Sequence, residues 1–123
     1  MSMRTEKVAE QLLGFLGAEV RGLRDPRAIL ITLTDVSLSK DLKRAHVFWT
    51  KMPDAPSEDG KLSFPKPDEI KSIDEMLLDS KKFLKKRIAD SLKLRYVPEL
   101  VFTYDESLER ASRLDSLLAE AKK

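Results

Sequence analysis

The chain has 123 residues, 41% of them apolar and 36% charged, with a formal net charge of +2, one histidine and no cysteine. Its length suits one domain spanning 1–123 around a single core. The absence of cysteine excludes disulfides, thiolate nucleophiles and cysteine-based metal sites. No run approaches the roughly 18 apolar residues of a membrane span. The opening "MSMRTEKVAEQ" has no apolar signal core, so the expected product is soluble and cytoplasmic.

Thr5 is placed to cap a first helix that carries Val8, Leu12, Phe15 and Leu16 at three- and four-residue spacing and runs to about Val20. "RDPRA" (24–28) ends it, because Pro26 cannot continue a helix and forces the preceding residue toward extended geometry. "ILITLTDVSLS" (29–39) is rich in β-branched residues and reads as a strand, with Ile29, Ile31 and Leu33 on one face and Leu30, Thr32, Thr34 and Val36 on the other. After the polar turn "SKDLKR", "AHVFWT" (45–50) alternates Ala45, Val47 and Trp49 against His46, Phe48 and Thr50. So short a connection predicts an antiparallel hairpin.

Residues 51–68 hold four of the six prolines and read as a long surface loop. From Asp68 the pattern turns helical, with Ile70, Ile73 and Leu77 marking one stripe and Leu84, Ile88 and Leu92 another. If the helix were unbroken, the stripe's next member after Leu77 would be Lys81, so a kink or break is predicted near Ser80 to Lys82. "LVFTYD" (100–105) reads as a third strand, and Asp105 can cap a C-terminal helix (106–123) with Leu108, Leu114, Leu117 and Leu118. The fold class is therefore α+β, in the order α-β-β-α-kink-α-β followed by a C-terminal helix.

Charge is segregated along the chain. Lys81 to Arg95 holds seven basic residues and one acid, Arg21 to Lys51 holds seven basic residues and three acids, and Asp54 to Ser80 holds eight acids against three lysines. Segregation of this kind creates a directional field that the whole-chain sum hides. Within "SKKFLKKRI" (80–88), Lys81, Lys82, Lys85 and Lys86 fall along one side of the helix. A kink there would free backbone N–H groups and present a positive helix end, and both favour an anion. Several lysines beside a phosphate backbone would release counterions and give affinity without sequence readout.

Enzyme signatures are missing: there is no histidine cluster for zinc, phosphate-binding loop, nucleophile elbow or dinucleotide fingerprint. His46 alternates with core candidates and reads as structural or surface. No enzyme activity, cofactor or metal is expected. "GFLG" (14–17) has the GxxG spacing by which KH domains clamp RNA, but it lies inside the first helix, where close helix packing is the better reading. Phe48, Trp49 and Tyr96 are candidates for base stacking, but aromatic residues in strands are more often core, and none of the three is counted among the expected site residues.

Four words of the sequence, "VAEQL", "DPR" (25–27), "ITLTDVSLSKDLKRAHVF" (31–48) and "LRYVPELVFTYDESLERASRLDSLL" (94–118), resemble the ribosome-binding factor A family of bacterial small-subunit assembly factors. The resemblance covers nearly all of the chain outside 51–68. It implies a single type II KH-like domain with a three-stranded sheet, helices on one side and a kinked helix pair in place of the helix-turn-helix. It also implies a monomeric, non-catalytic factor that binds the free 30S subunit and its 16S rRNA, aids late maturation including 5′-end processing, and is associated with growth in the cold. Members carry an Ala-x-Gly kink where this chain has Ser80-Lys81-Lys82, which predicts a gentler bend here, and they usually cross 51–68 in fewer residues.

With that ligand implied, the expected RNA-binding residues are Ser80, Lys81, Lys82, Lys85, Lys86, Lys93 and Arg95, joined by Lys40, Lys43 and Arg44 from the hairpin turn. The competing reading is a protein-interaction module that uses the acidic 51–79 segment against a basic partner.

Overall fold

The computed structural model describes residues 3–51, 53, 58–60 and 62–121. Helix α1 (Met3–Arg21) leads into a 3-10 turn (Pro26–Leu30), strands β1 (Ile31–Leu38) and β2 (Arg44–Lys51), helix α2 (Pro67–Ser91), strand β3 (Glu99–Tyr104) and helix α3 (Ser107–Ala121). β2 is central, pairing antiparallel with β1 and parallel with β3. A parallel partner requires a crossover, and α2 supplies it. α1 packs on β1 and α2 on β3, so both helices cover one face of the sheet. This is the α+β, KH-like arrangement expected.

The core gathers Leu12, Leu16 and Val20 from α1, Ala45, Val47 and Trp49 from β2, and Ile73, Leu77, Leu84 and Ile88 from α2, closed by Leu100. The spacing that predicts α1 and β2 is thus the spacing that buries them. Trp49 is fully buried. Its indole N–H donates to Asp74 Oδ1 at 3.0 Å, and its ring meets Tyr104 edge-on at 5.1 Å.

Several expectations are corrected. α1 already includes Met3, so Thr5 lies within its first turn rather than before it. Ile29 and Leu30 belong to the 3-10 turn, not to a strand, and both are exposed. The turn is set by Asp25, extended at φ −74° and ψ 126°, whose Oδ1 accepts the Arg27 backbone N–H at 2.9 Å, with Pro26 at the first position. Arg27 then reaches across to α2 and donates to the Ser72 carbonyl and hydroxyl.

β1 changes phase. Its register against β2 shifts between Leu33 and Asp35, so Ile31 and Leu33 face the core before the bulge, and Val36 and Leu38 after it. One extra residue exchanges the two faces, which strict alternation cannot foresee.

The expected break in α2 is absent: 67–91 is one helix. Ser80 and Lys81, three and four residues after Leu77, flank the buried stripe that runs on to Leu84, and both are half-buried. Ser80 turns its hydroxyl back on the helix and donates to the Met76 carbonyl at 2.9 Å, so a polar side chain beside the stripe is satisfied without interrupting the ladder. Lys82 keeps negative φ, as helix requires.

Close packing does not explain the glycines of α1. A Cβ added at Gly14 or Gly17 meets nothing within 4 Å. Glycine in a helix interior costs about 0.5–1 kcal/mol relative to alanine. The double variant Gly14→Ala/Gly17→Ala is therefore expected to gain about 1–2 kcal/mol in urea unfolding; a loss of stability would show that the helix needs the glycines.

α3 contributes no buried residue, and Leu108, Leu114, Leu117 and Leu118 all stay exposed. Its start is capped as expected: Asp105 Oδ1 accepts from the Ser107 backbone N–H at 2.9 Å and its hydroxyl at 2.6 Å. Among the described residues, no helix is long and apolar enough to cross a membrane.

Candidate functional site

The parallel pairing of β2 and β3 brings the basic segments together at one end of the sheet. Arg44 and Glu99, the first residues of the two strands, are register partners, and the Glu99 backbone N–H donates to the Lys43 carbonyl at 2.7 Å. α2 runs back over the same end. Lys81 Nζ lies 2.9 Å from Glu99 Oε1, and Lys85 Nζ lies 2.9 Å from Glu99 Oε2. One carboxylate thus ties two lysines of the helix to the strand starts beside the hairpin turn.

The two ammonium groups hold the Glu99 carboxyl at about 2, through the hydrogen bond from Lys85 first and then that from Lys81. A carboxylate whose folded value is depressed favours the folded state above its ordinary value of 4.5. That contribution fades as pH falls from there through about 2. Across the neutral range the clamp is closed.

The patch is therefore less basic than the sequence suggests. Lys81, Lys85 and Glu99 together carry one net positive charge. Arg87, the fifth basic residue of the 80–88 stretch, turns to the other flank of α2 and grips Glu19 of α1 through two hydrogen bonds of 3.1 Å. Lys82 and Lys86 remain exposed, and among the described residues neither has an ion-pair partner. Because α2 is unbroken, no helix N-terminus or released amide lies at 80–82, so that part of the anion argument does not hold. Ser80 is committed to Met76.

The hairpin turn presents the second group. Ser39 and Arg44 close it by Ser39 N–H to Arg44 carbonyl at 2.9 Å, and Leu42 adopts the left-handed conformation at φ 62°. A branched side chain rarely tolerates that region, and the packing of Leu42 against the core holds it there. Asp41 Oδ1 accepts from the Ser39 hydroxyl at 2.6 Å and the Lys43 backbone N–H at 3.0 Å, which lowers its carboxyl below the usual range. Lys40, Lys43 and Arg44 point their side chains to solvent.

Lys93 and Arg95 are exposed in the loop 92–98 and line a groove with Arg4, Asp41 and Tyr96. Lys93, Arg95 and the turn thus share one concavity, while Lys81 and Lys85 meet the turn through Glu99. Tyr96, a stacking candidate left out of the expected site residues, is 61% exposed, with the Arg95 guanidinium 5.4 Å from its ring centre. Its position two residues before Pro98, outside any alternating run, is the signal in the sequence that points to this.

The competing acidic segment is partly engaged inside the fold. Glu69 pairs with Lys51 at 2.8 Å and Asp74 serves Trp49. Residues 54–57, within the long loop, lie outside the described residues.

Residues 4–118 match the family model of ribosome-binding factor A. A ribosome-binding factor A from Geobacter metallireducens is 38% identical over 121 residues, covering 98% of this chain and 92% of the relative. One from Chromohalobacter salexigens is 38% identical over 119 residues, covering 96% and 83%. The crystal structure of ribosome-binding factor A from Thermus thermophilus is similar with a TM-score of 0.60 at 25% identity, covering 81% of this chain and 94% of that one. A solution NMR structure from Thermotoga maritima gives 0.68 at 27%, covering 89% and 93%. A homology model of the Thermus thermophilus protein, fitted into a cryo-EM map of a 30S complex, shares the fold at 0.55 and 23% identity, covering 80% and 91%.

Proposed function

The chain belongs to the ribosome-binding factor A family, and from that premise we propose that it is a non-catalytic RNA-binding factor that binds the free 30S subunit through its 16S rRNA. It acts as a cytoplasmic monomer late in small-subunit maturation, including processing of the rRNA 5′ end. The fitting of a Thermus thermophilus relative into a 30S complex supports the partner.

The observation that carries the reading is a set of exposed cations on three segments, Lys82 and Lys86 on α2, Lys40, Lys43 and Arg44 on the turn, and Lys93 and Arg95 on the loop before β3, with the turn and the loop lining one groove. Lys81 and Lys85 tie α2 to the start of β3 through Glu99, whose backbone N–H meets the Lys43 carbonyl of the turn. Such a surface neutralises phosphates and fits a folded RNA by shape rather than by base sequence. The domain holds one conformation of the immature RNA and leaves when that surface is remodelled.

The test is co-sedimentation of the protein with isolated small subunits, large subunits and assembled ribosomes across a salt series. Binding confined to free small subunits, and weakening steeply with salt, is the expected outcome. Absence of binding at low salt would refute the proposal. Retained binding after removal of the 51–68 loop tip separates an RNA ligand from a partner of the acidic segment.

A further inference from the structure

We propose that the groove between the N-terminal half of α1, the β1–β2 turn and the loop 92–98 holds one unpaired nucleotide of an RNA strand, its base stacked on Tyr96. The inference rests on the RNA-binding reading and adds to it a site, a ligand form and a residue that carries recognition.

Four observations support it. Tyr96 is 61% exposed, which leaves apolar ring surface in water where a stacked base would cover it. Arg95 lies over the ring at 5.4 Å, leaving the opposite face for a base in an Arg–Tyr–base stack. The groove of about 390 Å³ beside it has an apolar floor that includes Leu38, Leu94 and Pro98, and its volume is in the range of small-ligand sites. Its rim carries three cations, Arg4, Lys93 and Arg95, against one carboxylate, Asp41.

The charges also orient the ligand. Asp41 repels phosphate and accepts from an amino group, so the base edge lies toward the turn and the sugar-phosphate toward Arg4 and Lys93. A duplex cannot present a base in this way, because its bases are paired and stacked. Unpaired segments can, and stacking on aromatic side chains is how RNA loops are usually held.

The experiment titrates the full chain, by fluorescence anisotropy, against a labelled short single-stranded RNA and a labelled RNA hairpin stem. Tyr96→Ala is expected to weaken the single strand about tenfold and leave the stem unchanged, while Tyr96→Phe binds as the wild type does. Circular dichroism checks the fold, which an exposed side chain does not support. Wild-type affinity of Tyr96→Ala for the single strand would overturn the nucleotide site while leaving stem binding by the lysines intact. A chain that binds neither RNA would overturn the RNA reading together with the site. A free nucleotide or an acidic peptide that binds as tightly as the oligomer would overturn an RNA strand as the occupant.

Discussion

Trp49→Ala is expected to lower the free energy of unfolding by about 4 kcal/mol. Three contributions add. The indole is fully buried at the centre of the core, between α2 and the sheet, so truncation leaves a cavity that the surrounding Leu and Ile side chains only partly fill. The edge-on packing against Tyr104 at 5.1 Å disappears. Asp74, half-buried on α2, is left without the N–H that it accepts at 3.0 Å. Since domains of this size are stable by about 5–15 kcal/mol, the variant should be marginal at 37 °C. Urea unfolding followed by far-UV circular dichroism is the measurement, because the substitution removes the only tryptophan. A loss below about 1.5 kcal/mol would show that the site collapses onto the gap. Asp74→Leu isolates the hydrogen bond, and its expected cost is about 1–3 kcal/mol because the indole N–H stays buried with no acceptor.

How far such features can be read in advance depends on the range of the interaction that sets them. Alternation places Ala45, Val47 and Trp49 on one face of β2, and three- and four-residue spacing places Leu12, Leu16, Ile73 and Leu77 in the core, because these are properties of neighbours on one element. Two features depend on more distant parts of the chain, and a third on how polar side chains beside the stripe of α2 are satisfied. The bulge after Leu33 is a relation between β1 and β2, and it reverses a face assignment that is sound for an unbulged strand. The continuity of α2 past Leu77 leaves Ser80 and Lys81 half-buried beside its stripe, where the Ser80 hydroxyl finds the Met76 carbonyl and the Lys81 ammonium finds Glu99. Glu99 lies 18 residues beyond Lys81, and only the parallel return of β3 brings its carboxylate under the two lysines. The cations are legible and their neutralisation is not, since the first is composition and the second is topology. The exposure of Tyr96 shows the same dependence, because in the loop before β3 it is set by what the neighbouring turn and α1 leave uncovered.

The clamp at Glu99 divides the four lysines of α2 into two pairs with different expected behaviour. Lys82→Glu/Lys86→Glu is expected to weaken binding to small subunits at least tenfold and to reduce the dependence of log affinity on log salt by about 2, one for each lysine withdrawn from phosphate. Stability should stay within about 0.5 kcal/mol of wild type, because neither side chain is engaged within the described fold. Lys81→Glu/Lys85→Glu has a different signature. It sets three carboxylates together at the start of β3, so the melting temperature should fall along with the affinity, and more so at neutral pH than at pH 3, where carboxylates outside an ion pair are largely protonated. Glu99→Gln completes the comparison with the opposite sign: it releases Lys81 and Lys85 to solvent, and small-subunit binding should become tighter and steeper in salt. Co-sedimentation at several salt concentrations, with thermal melts of each variant, separates the three. If a folded Lys82→Glu/Lys86→Glu protein bound small subunits as the wild type does across the series, phosphate would not lie on this side of α2. Binding would then have to pass to the turn and the 92–98 loop alone.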